Sequence, residues 1–74
     1  MTVPTKGVFQ PERLRLIRSA QGMTQAALAD TLGVSRQYMQ QIEKGVKAPN
    51  RESVLALSEI LGVGEQFFDR PVRH

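Results

Sequence analysis

One spacing recurs five times along this chain and leaves it little choice of fold. An apolar residue precedes a position suited to start a helix, and a second apolar residue follows that position by four. The pairs are Phe9 and Leu14 around Gln10, Met23 and Leu28 around Thr24, Val34 and Met39 around Ser35, Pro49 and Val54 around Asn50, and Val63 and Phe68 around Gly64. This is the hydrophobic staple, in which the residue before the cap packs on the fourth residue of the helix. Thr24, Ser35 and Asn50 carry oxygens able to accept from the unpaired first amides of a helix. Gln10 and Gly64 are weaker caps, although Pro11 at the first helical position supports the Gln10 start. Gly22, Gly33, Gly45 and Gly62 each follow an apolar-periodic run, where a residue ending a helix belongs.

These signals predict helices over 11–21, 25–32, 36–44, 51–61 and a short 65–69, with Pro71 stopping the last. No segment alternates apolar and polar residues with β-branched enrichment. The expected fold is therefore all-α, a compact five-helix bundle over 9–70 between a flexible 1–8 tail and a 71–74 tail. Helical spacing gives the core: Leu14 and Ile17; Leu28, Ala29 and Leu32; Met39 and Ile42; Val54, Leu57, Ser58 and Leu61. Phe67 and Phe68 are placed to close one end. Leu55 and Ile60 fall off the stripe, either covered by the last helix or tail or left as a partner surface.

Composition narrows the functional classes. The chain has 74 residues, enough for one domain, and no cysteine, which excludes disulfides and thiolate metal sites. A chain this short buries only about 60% of its unfolded surface. No apolar run approaches the ~20 residues of a membrane span, so a soluble protein of a reducing cytoplasm is expected. The net charge of +3 suits a polyanionic partner if the cations share one face. With no Trp, a platform for stacking single-stranded bases is not expected. His74 is the single histidine, and no zinc, phosphate-loop or nucleophile-elbow pattern is present. Neither catalysis, a metal nor another cofactor is expected.

The stretch 24–44 carries the function on this reading. Gly33-Val34-Ser35 joins two helices at a steep angle, a helix-turn-helix. Ala29 is small where the helices approach, Gly33 supplies the positive φ of the turn, and Met39 and Ile42 anchor the second helix inward. At 100° per residue, Gln37, Gln41 and Lys44 then point most directly outward, with Gln40 to one side and Arg36 at the helix start.

The segment "MTQAALADTLGVSRQYMQQIEKG", with "PERLRLIRSAQG" before it and "APNRESVLALSEILGV" after it, resembles the Cro and phage-repressor type, XRE-like helix-turn-helix family. The likeness covers about residues 10–70. Met39 departs from it, standing where the family more often has Ile, Val or Leu. The resemblance implies a five-helix, lambda-repressor-like domain that binds double-stranded DNA, usually as a homodimer on a palindromic operator. Arg36, Gln37, Gln40, Gln41 and Lys44 are then the base-reading candidates, since Gln pairs with adenine and Arg with guanine in the major groove. The plain alternative is a solvated helix face. Thr24, Gln25, Ser35, Tyr38, Lys47, Asn50 and Arg51 are the phosphate candidates, because helix N-termini and nearby cations attract anions. In the family a Gln matching Gln25 lies at the DNA backbone. Arg13, Arg15 and Arg70 are weaker candidates. The resemblance also implies a partly buried Arg18–Glu43 pair joining the first helix to the third.

"LGVGEQFFDRPV" further resembles the junction at which such a module precedes a zinc metallopeptidase domain. A transcriptional regulator acting as a repressor is the leading expectation. An antitoxin or other protein-interaction module, or the DNA-binding part of a longer regulator with an additional C-terminal domain, are the alternatives.

Overall fold

In the computed structural model, which describes residues 9–69, the chain forms four α-helices and a closing 3-10 turn. The helices are α1 (Pro11–Ala20), α2 (Gln25–Leu32), α3 (Arg36–Glu43) and α4 (Arg51–Leu61), followed by the turn Glu65–Phe67. The expected tails, with Arg70, Pro71 and His74, lie outside the described residues.

The three strong caps behave as their chemistry requires. Thr24 Oγ1 accepts from the Ala27 amide at 3.0 Å, Ser35 Oγ from Tyr38 at 3.0 Å, and Asn50 Oδ1 from Ser53 at 2.8 Å. Each bond satisfies one orphan amide at the third helical position. Gln10 caps nothing with its side chain. Its main-chain amide instead donates to the Phe68 carbonyl at 2.7 Å, tying the start of α1 to the last turn.

The expected fifth helix is shorter than 65–69 and of the tighter type. Phe67, Phe68 and Asp69 donate to Gly64, Glu65 and Gln66, each three residues back. With a single turn available and no side-chain cap at Gly64, the i→i+3 pattern satisfies the ends that an α-helix would leave open. Helices α1 and α3 each end one residue earlier than expected, at Ala20 and Glu43.

The core joins all five elements. Leu14, Leu28, Ala29, Met39, Ile42, Leu57 and Phe68 are fully buried, and Leu61 is nearly so. Ile17, Leu32, Val54, Ile60, Val63 and Phe67 pack around them partly buried. Burial of each large side chain contributes about 1.5–3 kcal/mol. Ser58 sits in the α4 stripe because its hydroxyl donates to the Leu55 carbonyl at 2.7 Å, which removes the cost of burying it.

Helix α2 packs chiefly on α3, with α1 behind α3 and α4 behind α2. The α2–α3 turn is a Schellman motif. Gly33 has φ of 84°, the Val34 amide donates to the Ala29 carbonyl at 3.0 Å, and the Gly33 amide reaches both Ala29 and Asp30. This turn sets the angle at which α3 leaves the bundle.

Candidate nucleic-acid interface

Helix α3 has two unlike faces. Met39, Ile42 and Glu43 are buried, whereas Arg36, Gln37, Gln40 and Lys44 are exposed. Tyr38 and Gln41 are half-buried. The helical wheel places Gln41 outward and Gln40 to one side, so the observed order of exposure is reversed. After the helix, the Val46 and Lys47 amides both donate to the main-chain carbonyl of Gln41, at 2.9 and 3.2 Å. Lys44 is the residue that ends α3 rather than a member of it.

The inward end of α3 is held by an ionic network. Glu43 is 2% exposed. Its Oε2 accepts from Arg18 Nε at 2.7 Å, and its Oε1 from Arg18 Nη2 and Gln25 Nε2, each at 3.0 Å. Arg18 Nη1 donates to the Met23 carbonyl at 2.8 Å. The fork geometry of a guanidinium matches a carboxylate with two parallel bonds. No buried side-chain polar atom among the described residues lacks a partner. The expected Arg18–Glu43 pair is therefore present, and it links α1 to α3.

Two members of this cluster have roles that sequence reading did not assign. Arg15, read as a weaker phosphate candidate, donates through Nη1 to the Glu43 carbonyl and so caps the C-terminus of α3. A cation there also complements the helix dipole. Gln25, read as a phosphate contact, donates to the Glu43 carboxylate from the start of α2. The available signal was that Arg15 and Arg18 stand three apart on α1, hence on one face.

The remaining candidates lie around the ends of the helices. Thr24, Ser35 and Asn50 are exposed N-cap residues. Capping uses an acceptor of each side chain and leaves its donors available. Helix α2 has no acidic residue in its first turn to compete with an anion. Lys47 is exposed, with Nζ 5.9 Å from the centre of the Tyr38 ring, within cation–π range. Arg51 lies 3.8 Å from Glu65 with its side chain 80% exposed, a pairing worth little in water. Arg13 stacks over Phe67 at 5.0 Å.

The apolar surface considered for a protein partner is thinner than the sequence suggested. Phe68 is fully buried, Ile60 and Phe67 are packed against the core, and Leu55 alone of the four is exposed, at 39%. No helix of the described residues is long and apolar enough to cross a membrane.

Comparison with known proteins agrees with this geometry. A helix-turn-helix family model matches residues 14–68. The SPbeta prophage-derived HTH-type transcriptional regulator YonR of Bacillus subtilis is 39% identical over 56 residues, which make up 76% of this chain and 52% of that protein. The HTH-type transcriptional regulator RamB of Mycobacterium tuberculosis is 39% identical over 56 residues, 76% of this chain but 12% of that protein. The chain thus matches only part of the length of these relatives. The solution structure of the DNA-binding domain of the P22 c2 repressor superposes with a TM-score of 0.76 at 33% identity, covering 86% of this chain and 84% of that one. The P22 c2 repressor in complex with a synthetic operator gives a TM-score of 0.75 at 34% identity, covering 82% and 92%. With the family match spanning most of the chain and the turn, caps and core where that fold needs them, the chain belongs to the Cro and phage-repressor type, XRE-like helix-turn-helix family.

Proposed function

We propose that this chain is a sequence-specific double-stranded DNA-binding module of a transcriptional regulator, reading the major groove with α3. The observation that carries the reading is the division of α3: Arg36, Gln37 and Gln40 are exposed on a helix whose opposite face is pinned by Met39, Ile42 and Glu43. A reading helix needs free donors and acceptors in front and a rigid support behind. Gln offers both an acceptor and donors for adenine, and Arg a fork for guanine. Half-buried Gln41 and terminal Lys44 flank this set.

Phosphate contacts frame the same helix. The Thr24 and Ser35 hydroxyl protons and the Asn50 amide group remain as donors, while Lys47 and Arg51 supply charge. A phosphate near Arg51 displaces only its exposed contact with Glu65. Tyr38 is held beside Lys47 and can present its hydroxyl to the backbone. Such contacts orient the module without reading sequence. The P22 c2 repressor bound to its operator supports this use of the fold. Repression by occupying promoter DNA, as a homodimer on a palindromic operator, is the form of regulation proposed. The chemistry requires no cofactor.

Binding to a panel of duplexes that differ at single base pairs tests the assignment. Gln37→Ala should cost about 1–3 kcal/mol on the preferred sequence and relax the preference at one base pair. Lys47→Ala or Arg51→Ala should weaken every duplex alike and lower the salt slope by about one unit. A Gln37→Ala protein that loses the same factor on every duplex contradicts base reading by this helix.

A further inference from the structure

We propose that Arg15 is a positioning residue for base reading: by holding the last carbonyl of α3 from α1, it fixes the tilt at which Gln37 and Gln40 are presented. The inference rests on the DNA-binding reading above.

The final carbonyls of an α-helix lack partners further along the helix. In α3 most of them are satisfied by the chain that follows. The Gln40 carbonyl accepts from the Lys44 amide at 2.9 Å, Gln41 from Val46 and Lys47, and Ile42 from the Gly45 amide at 3.1 Å. The Glu43 carbonyl is served from another element. It accepts from Arg15 Nη1 on α1, 28 residues away in the chain. One turn further along α1, Arg18 holds the Glu43 carboxylate with bonds of 2.7 and 3.0 Å. Helix α1 thus grips the last residue of α3 twice, once by its side chain and once by its main chain.

The two grips constrain different things. The Arg18 bonds act on a carboxylate at the end of a side chain with its own rotatable torsions. The Arg15 bond acts on a peptide group and therefore on the helix axis. The other end of α3 is tied to α2 by the Gly33 turn. A rod tied at one end and resting on Met39 and Ile42 can still rock, and a second fixed point removes that freedom. The guanidinium also sets positive charge at the negative end of the helix dipole.

An exposed cation could instead touch phosphate, and the two roles have different signatures. A phosphate contact weakens all sequences alike and contributes about one unit of salt slope. A tilt-setting contact acts on sequence preference and leaves the salt slope alone.

The test is Arg15→Met, which keeps the aliphatic stem and removes the charge and every donor, beside Arg15→Lys, which keeps a charged donor. Affinities are measured over a range of salt on the preferred duplex, on the same duplex changed at the base pair that Gln37→Ala identifies, and on a random duplex. For the Met variant the ratio of preferred to changed duplex should contract about two- to fivefold, the range for a cation at an exposed helix C-terminus. The salt slope should stay as in the wild type, and the Lys variant should restore most of the ratio. In the free Met variant the Lys44 and Gly45 amides should exchange faster by a similar factor. An unchanged ratio, or an equal loss on all three duplexes with the slope lowered by about one unit, overturns the proposal while leaving the DNA-binding reading intact. A wild-type protein without any sequence preference overturns both. Should the Met variant fail to fold, hydrogen exchange of the wild-type Arg15 guanidinium decides instead. Slower exchange than at exposed Arg36 in the free protein supports the grip on Glu43, and equal exchange overturns it.

Discussion

Glu43→Ala should destabilise the domain by about 3–5 kcal/mol, the range for removing one partner of a buried ion pair. The arithmetic of the site is unfavourable to any vacancy. Arg18, with its side chain 17% exposed, would keep the Met23 carbonyl alone as an acceptor, and Gln25 would lose its acceptor on α3. A small domain has about 5–15 kcal/mol of stability in all, so the loss removes a large share. Thermal unfolding followed by circular dichroism measures it. Arg18→Ala should cost at least as much, because it leaves the nearly inaccessible Glu43 carboxylate without a counter-charge and with only the neutral Gln25 amide as a side-chain donor. A double-mutant cycle between positions 18 and 43 should return a coupling of at least about 1 kcal/mol, above the range of exposed pairs. Replacing both by leucine should recover much of the loss, since apolar packing substitutes for many buried ion pairs. A Glu43→Ala cost below about 1 kcal/mol would place the pair with ordinary surface contacts.

The second large effect belongs to a residue outside the four α-helices. Phe68→Ala should cost about 3–5 kcal/mol, the range for truncating a buried aromatic side chain. Phe68 is fully buried, lies 5.5 Å from Phe9 in a stacked pair, and meets Phe67 edge-on at 5.6 Å. Aromatic pairs add about 0.5–1.5 kcal/mol beyond the area they bury. Its carbonyl also holds the Gln10 amide, so the turn closes the bundle over the start of α1. The denaturant midpoint should fall without a large change in slope, as expected for lost stability in an unaltered fold. A midpoint shift equivalent to less than about 1 kcal/mol would mean that the closing turn is dispensable to the core.

What was legible in the sequence was what is local. A cap and its amide stand three residues apart, and a staple spans five, so Thr24, Ser35 and Asn50 announce α2, α3 and α4 directly. Helical period then places Leu14, Leu28, Met39, Ile42, Leu57 and Leu61 in the core. The support of α3 was harder to read, because it is assembled across the fold. Glu43 meets Gln25 from 18 residues away, Arg18 from 25 and Arg15 from 28. Nothing local to Arg15 separates a helix cap from a solvated cation. The Arg18–Glu43 pair came from family resemblance, not from the residues themselves. The relative exposure of Gln40 and Gln41 does not follow from a helical wheel, which gives the angle about the helix axis but not what packs against it.

On the proposed reading, the exposed face of α3 carries the function. Its side chains are arranged by the parts that do not show: the Gly33 turn, the Met39 and Ile42 anchors, and the Glu43 network. On the proposed reading, a change at Met39, Ile42 or Glu43, all buried, alters how Arg36, Gln37 and Gln40 are presented to a groove.

The most direct measurement is an NMR titration of the nitrogen-labelled protein with a duplex selected from a random pool. The largest shifts should fall on the side-chain amides of Gln37 and Gln40 and on the main chain of residues 36–44, with smaller ones at Thr24, Gln25, Lys47 and Arg51. Shifts confined to Leu55 and the Phe67–Phe68 end, with the α3 resonances unmoved, would contradict the account.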